Sequence, residues 1–398
     1  MLNLVRFDKK LPILLVASLL LISLVATGAS QDKVGGLTGS ELPAKYVIED
    51  VPYVPMYSYW STCAMSSLEM ALEYYGYDYS IMTLMNLGWQ YGATLVENEN
   101  GPVLMPGAEQ PTEGIIHAAE VLGFTVNEQN NQEKEEAWRT LKMHLVEDTP
   151  VIIQWTMHTV LAVGYDETGS KGEVIFHNPA SPGRLLEGYM GIEEDLKTDP
   201  GKLSTMDKSK LFGADYWVNA NSYPAKRYEM ITLDPPAERK EIGWKDVIKR
   251  NSAKTLGRRD WTSYPPYVWY SVDAFNEAAK NVESGEWSEE ELSSLFSASD
   301  WGPASRSHVA SFLAGFGQRA GIEELKRAGR LFEKSGYYWQ EAREVWNYAC
   351  ENPDKIKEKA YRKVISDAFR KVASYEERAG KALARAGKKF QPKHQGQG

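Results

Sequence analysis

A cysteine stands where a helix is about to begin. Residues 51–80 read VPYVPMYSYWSTCAMSSLEMALEYYGYDYS, and after Cys63 the apolar Met65, Leu68, Leu72 and Tyr75 recur on one helical face until Gly76 stops it. A thiol at such a place faces unpaired backbone N–H groups and the positive end of the helix dipole, both of which favour the thiolate. Cys63 is therefore a candidate nucleophile. Its other roles would be a small core residue or half of a bridge to Cys350, the chain's second cysteine. Two cysteines in 398 residues are too few for a disulfide framework.

A cysteine nucleophile needs a base to take and return its proton, and a third group to orient that base. The chain has six histidines. His158, in QWTMHTVLAVGYD, immediately precedes an alternating strand, a position from which its ring would project from a sheet end toward a helix N-terminus. His117 and His144 lie in helical stretches, His308 in a distal helical region and His394 in the tail. His177 ends the next strand and directly precedes Asn178 and Pro179, which makes Asn178 the natural orienting partner for His158.

The elements that must hold these residues change character along the chain. Between 45 and 235 the periodicity predicts helices over 64–75, 112–123 and 133–146, then strands over 150–155, 159–165 and 173–177, the last two joined by a turn through Gly169 and Gly172. Helices followed by a β-meander is an α+β order. From 236 to 387 the period becomes almost wholly helical, with helices expected over 272–284, 288–296, 303–319, 322–350 and 354–386. Its Lys/Glu alternation, as in EELKRAGRLFEK, reads as a solvated face. Residues 388–398, KKFQPKHQGQG, read as a disordered tail.

Arg6, Lys9 and Lys10 precede an apolar run over 11–26 and then the small residues Ala26, Thr27, Gly28, Ala29 and Ser30. That is the pattern of an export signal over 1–30, cleaved or retained as a membrane anchor, with 31–44 as a polar, Gly-rich linker. The expected location is secreted or tethered to the outer face of the cytoplasmic membrane. With 45 Lys and Arg against 54 Asp and Glu, the formal charge is −9, and the chain lacks the basic block that nucleic-acid binding requires. No HExxH, CxxC, P-loop or calcium-loop spacing is present, so neither a metal nor a cofactor is expected.

A cysteine opening a helix, a strand about a hundred residues on that begins with His and runs into Gly164-Tyr165-Asp166, and a strand ending at Asn178-Pro179 together resemble the papain-fold peptidase C39-like superfamily. Val51-Pro52-Tyr53, the segment from Met70 to Gly76, and Pro150-Val151-Ile152-Ile153 are similar to that family's habits, and the resemblance covers about 48–235. It implies a papain-like domain over 45–235, which the helical period beyond 236 extends with an all-helical C-terminal domain. It further implies a thiol peptidase or amidase with Cys63 as nucleophile, His158 as general base and later acid, and Asn178 as orienter in place of the usual Asp. The family usually carries a Gln about six residues before the cysteine, where this chain has Met56 and Tyr57, and a Gly after it, where this chain has Ala64. Removing one oxyanion donor typically costs about 10²–10³ in rate. Tyr57, Tyr59 or Trp60, with the backbone N–H of Cys63, would have to substitute. The stretch from Gly76 to Gly92 is also similar to the N-terminal domain of butirosin biosynthesis protein H, which implies the alternative of an acyltransferase. A papain fold that binds peptides without cutting them is the other alternative.

Overall fold

The computed structural model describes residues 42–390 apart from 57–61, 90, 99–100, 107–110, 156–157, 180–202, 213–216, 220–225, 258–267 and 286–300. The export signal, most of the linker, Tyr57, Tyr59 and Trp60, the helix expected over 288–296, and all of the tail beyond Phe390 lie outside the described residues.

A short strand, β1 (Lys45–Val47), precedes helix α1 (Cys63–Tyr74), which Cys63 itself begins. Gly76, at φ 80°, supplies the left-handed turn that ends it. Next comes α2 (Ile81–Gly88), where Ser80 accepts a hydrogen bond from Thr83 N. That cap starts a helix too short for its periodicity to announce. A hairpin of β2 (Ala93–Asn98) and β3 (Gly101–Pro106) follows, then α3 (Pro111–Val121), β4 (Thr125–Gln129) and α4 (Lys134–Val146). The meander is β5 (Val151–Trp155), β6 (His158–Asp166) and β7 (Glu173–His177). Beyond it lie β8 (Ser204–Asp207), α5 (Lys208–Leu211), β9 (Val218–Asn219), β10 (Lys226–Arg227) and β11 (Met230–Asp234).

The main sheet is antiparallel, in the order β4-β11-β5-β6-β7-β8. Here β5 pairs with the first half of β6 and β1 with its second half, so β1 extends the sheet where β5 ends. A Cβ on Gly164 would lie 2.6 Å from Tyr46 O, so only glycine lets β1 close on β6. The meander is thus the centre of a wider sheet. The flanking strands β4 and β11 come from outside the run that the alternation marks, because edge pairing depends on register rather than on local period.

The sheet is covered on both faces. Leu161 and Val163 join α1, α2 and α3 in one core cluster, and Val160 and Ala162 join Trp138, Leu141 and Leu145 of α4 in another. Strand alternation therefore sends odd and even positions of β6 into different cores.

From 236 the expected helical stretch contains α6 (Trp244–Thr255), a strand β12 (Val268–Tyr270), α7 (Ser271–Ser284), α8 (Trp301–Ala320), α9 (Glu323–Glu351), α10 (Pro353–Lys357) and α11 (Lys359–Lys389). It is not all-helical, since β12 pairs with β2 and completes a three-stranded sheet, β12-β2-β3. The single helix expected over 354–386 is two, because Glu358 is extended at φ −72°, ψ 123°. The second continues past 387 to Lys389, and Phe390 then packs on Phe316 at 5.8 Å between ring centroids. From Ala44 onward the chain is one compact unit, and the first core cluster runs from α1 through Leu313, Phe316 and Leu325 to Leu383.

Candidate active site

Cys63 is the first residue of α1, and the backbone of Thr62 accepts from Ser66 N at 2.8 Å to close the first turn. The thiol thus stands at the N-terminal turn of the helix, as the sequence predicts. Cys63 is 3 % exposed and its thiol is free.

His158 begins β6 and sits opposite Trp155 of β5 in register. The Trp155 ring meets the imidazole edge-on at 6.1 Å and 87°, and itself stacks edge-on against Phe176 at 5.1 Å. This aromatic wall keeps water from one side of the imidazole. Asn178 directly follows β7, and its Oδ1 lies 2.8 Å from His158 Nε2. A carbonyl oxygen only accepts, so Nε2 carries the proton, and Nδ1 is the nitrogen left for the thiol. The hydrogen bond between Cys63 and His158 closes the series. Cys63, His158 and Asn178 come together as a buried, hydrogen-bonded line, with His158 6 % and Asn178 3 % exposed.

The electrostatics follow from this line. Burial pushes the Cys63 thiol up, but the hydrogen bond and charge of His158, with help from Thr159, outweigh it and hold the thiol at about 7. Burial pushes the His158 imidazolium down, whereas the hydrogen bond and charge of Cys63 and the hydrogen bond to Asn178 raise it above its ordinary value. Each shift favours a thiolate–imidazolium pair near neutral pH.

The segment before Cys63 is tied to the same strand end. Met56 N donates to Pro179 O at 2.8 Å, and His177 Nε2 lies 3.0 Å from Val51 O with its ring 5.7 Å from Tyr53. Burial holds His177 below its ordinary value, so it serves here as a neutral strut. The other described histidines are elsewhere: His117 is held down to about 3 by burial, Arg250 and Lys254; His144 faces Gln129; and His308 faces Met82. Among the described residues no group of His, Cys, Asp and Glu is placed to hold a metal ion. Nor is any described helix long and apolar enough to cross a membrane.

The sequence reading missed Thr159 and Gln154. Thr159 acts on the Cys63 sulfur through both its backbone and its hydroxyl, and its Oγ1 donates to Gln154 Oε1 at 2.6 Å. The signal was available: Gln154 is the one polar residue in the otherwise apolar run Val151–Trp155.

Residues 48–189 match the model of the Peptidase_C39 like family. This part of the chain, which holds Cys63, His158 and Asn178, is thus similar to the C39-like peptidases. Comparison with the curated proteins gave no match.

Proposed function

We propose that the protein is a thiol hydrolase that cleaves a peptide or amide bond through an acyl-cysteine intermediate, with Cys63, His158 and Asn178 as its catalytic machinery. The observation that carries this reading is the hydrogen-bonded line from Cys63 through His158 to Asn178 at the start of α1. The Cys63 proton passes to His158 Nδ1, and the thiolate attacks the carbonyl carbon. The oxyanion forms beside the N–H groups of the first turn of α1, with the backbone N–H of Cys63 as a donor. On collapse the C–N bond breaks, and the amine leaves with the proton from Nδ1. His158 then takes a proton from water, whose oxygen attacks the thioester carbonyl, and the carboxylic acid departs as the sulfur recovers its proton. Asn178 keeps Nε2 protonated and the ring aimed at the sulfur throughout.

The basic and then apolar N-terminus supports a site of action outside the cytoplasm, either secreted or tethered to the membrane's outer face, and cell fractionation tests that. For the chemistry, an electrophilic acyl probe should label the full chain at Cys63, with intact mass and peptide mapping as readout. Cys63→Ala should abolish both labelling and hydrolysis of a peptide library. Asn178→Ala removes one hydrogen bond of about 0.5–1.5 kcal/mol and should slow labelling by roughly 2–10-fold. Labelling without turnover until an amine acceptor is supplied would instead mark a transferase.

A further inference from the structure

Beneath the Cys63 sulfur, one face of the sheet carries a row of polar side chains in otherwise apolar surroundings. Thr159 of β6 and Gln154 of β5 are directly opposed in register. On the next strand, Met230 opposes Ile153, which sets Glu229 beside Gln154, whose N–H donates to Glu229 O at 3.5 Å. All three side chains are buried, at 0 %, 1 % and 0 % exposed for Thr159, Gln154 and Glu229. Glu229 is held by Thr112 Oγ1 at 3.0 Å and Lys226 Nζ at 3.2 Å. Burying polar groups of this kind costs free energy that packing alone does not require.

Thr159 has one hydroxyl proton and two acceptors within reach. Gln154 Oε1 is 2.6 Å away, and the Cys63 sulfur interacts with both the hydroxyl and the backbone N–H of Thr159. A hydroxyl donates only once, a neutral thiol is a weak acceptor, and a thiolate is a strong one. Where that proton lies must therefore follow the charge on the sulfur. The backbone around the rotor is fixed, since Ser67 Oγ donates to Thr159 O at 3.3 Å. The Gln154 amide is held through its oxygen, its Nε2 being buried with no hydrogen-bond partner.

We propose that Thr159 and Gln154 are positioning residues for the Cys63 sulfur, the Thr159 hydroxyl donating to Gln154 while the thiol is neutral and turning to the sulfur when the thiolate forms. No bond to the Thr159 oxygen breaks; only its O–H rotates, while the thiol's own proton goes to His158. Among the described residues, the titratable side chain acting on the sulfur is His158 from β6, and the first turn of α1 carries no acidic residue. The proposal rests on Cys63 as the reactive thiol of the proposed hydrolase, but its consequence is read from the thiol alone.

The test is the pH profile of Cys63 modification by 4,4′-dithiodipyridine in the full chain carrying Cys350→Ser, with thermal melts to confirm folding. Thr159→Val removes the donor to the thiolate, and the midpoint should rise by about one pH unit. Thr159→Ser keeps the hydroxyl and should restore the wild-type midpoint. Gln154→Leu removes the acceptor that favours the neutral thiol, so its midpoint should fall. Merely structural roles would not move the two midpoints in opposite directions. An unmoved midpoint in Thr159→Val, or shifts of the same sign in both variants, overturns the proposal; if the valine variant does not fold, Thr159→Ala is read in the same way. Opposite shifts in a protein that hydrolyses no peptide would retain this proposal and refute the hydrolase reading instead.

Discussion

Removing His158 should do more than slow Cys63; it should invert the order of reactivity between wild type and variant as pH rises. In the folded protein the thiol is held at about 7 against an ordinary 9.0, and the principal opposing influence is burial, which pushes upward. His158→Ala deletes the lowering influences of the imidazole and leaves the burial, so the midpoint should move to 9 or above. At pH 7 the thiolate fraction then falls from about half to about 1 % or less, roughly 50-fold. The thiolate that remains is more basic and hence more nucleophilic. With a Brønsted slope of about 0.4–0.5 against a disulfide reagent, two pH units return about 6–10-fold. The net expectation at pH 7 is a loss of only about 5–8-fold, followed by a crossing of the two profiles a little above pH 8 and a faster variant beyond it. The assay is the stopped-flow rate with 4,4′-dithiodipyridine, from pH 5 to 10, in the Cys350→Ser background, with Cys63→Ala as the blank. A variant whose midpoint stays near 7, or whose profile runs parallel to wild type at all pH values, would refute the ion-pair reasoning.

Three further outcomes follow from the same structure. Hydrolytic kcat/KM should be bell-shaped, rising as the thiol ionises near pH 7 and falling as pH passes the raised value of His158, because the active pair needs thiolate and imidazolium together. Glu69 is raised to about 7 by burial and then by Glu73 and Asp78. The folded state thus holds a proton there that the unfolded chain has lost above about 4.5, and stability falls as pH rises between those values. Glu69→Gln should consequently raise the melting temperature at pH 8 and leave it unchanged at pH 4. In the helical part, Arg306 Nε donates to Glu376 Oε1 at 2.7 Å with both side chains fully buried. Glu376→Leu leaves Arg306 uncompensated and should cost about 3–5 kcal/mol in urea denaturation, whereas adding Arg306→Met should recover much of that loss.

The amino-acid sequence by itself determined what local period and local chemistry can encode. The apolar spacing after Cys63 sets the helix and puts the thiol at its first turn, and the alternation after His158 sets β6. Asn178 and Pro179 end the following strand, so the order cysteine, histidine, asparagine is legible before any fold is known. These signals depend on neighbours two to four residues apart, which every chain segment carries with it. What lies farther apart was decided only on folding. That Asn178, at the end of β7, comes within reach of His158, at the start of β6, depends on how the two strands pair, and the irregularity between Ala162 and Gly164 shifts that pairing. That Gln154 meets Thr159, or that β12 crosses to β2, follows from strand register, which no single stretch specifies. The sulfur's ionisation is likewise a tertiary property: burial and the His158 hydrogen bond act in opposite directions, and only assembly of α1 on β6 sets which one prevails.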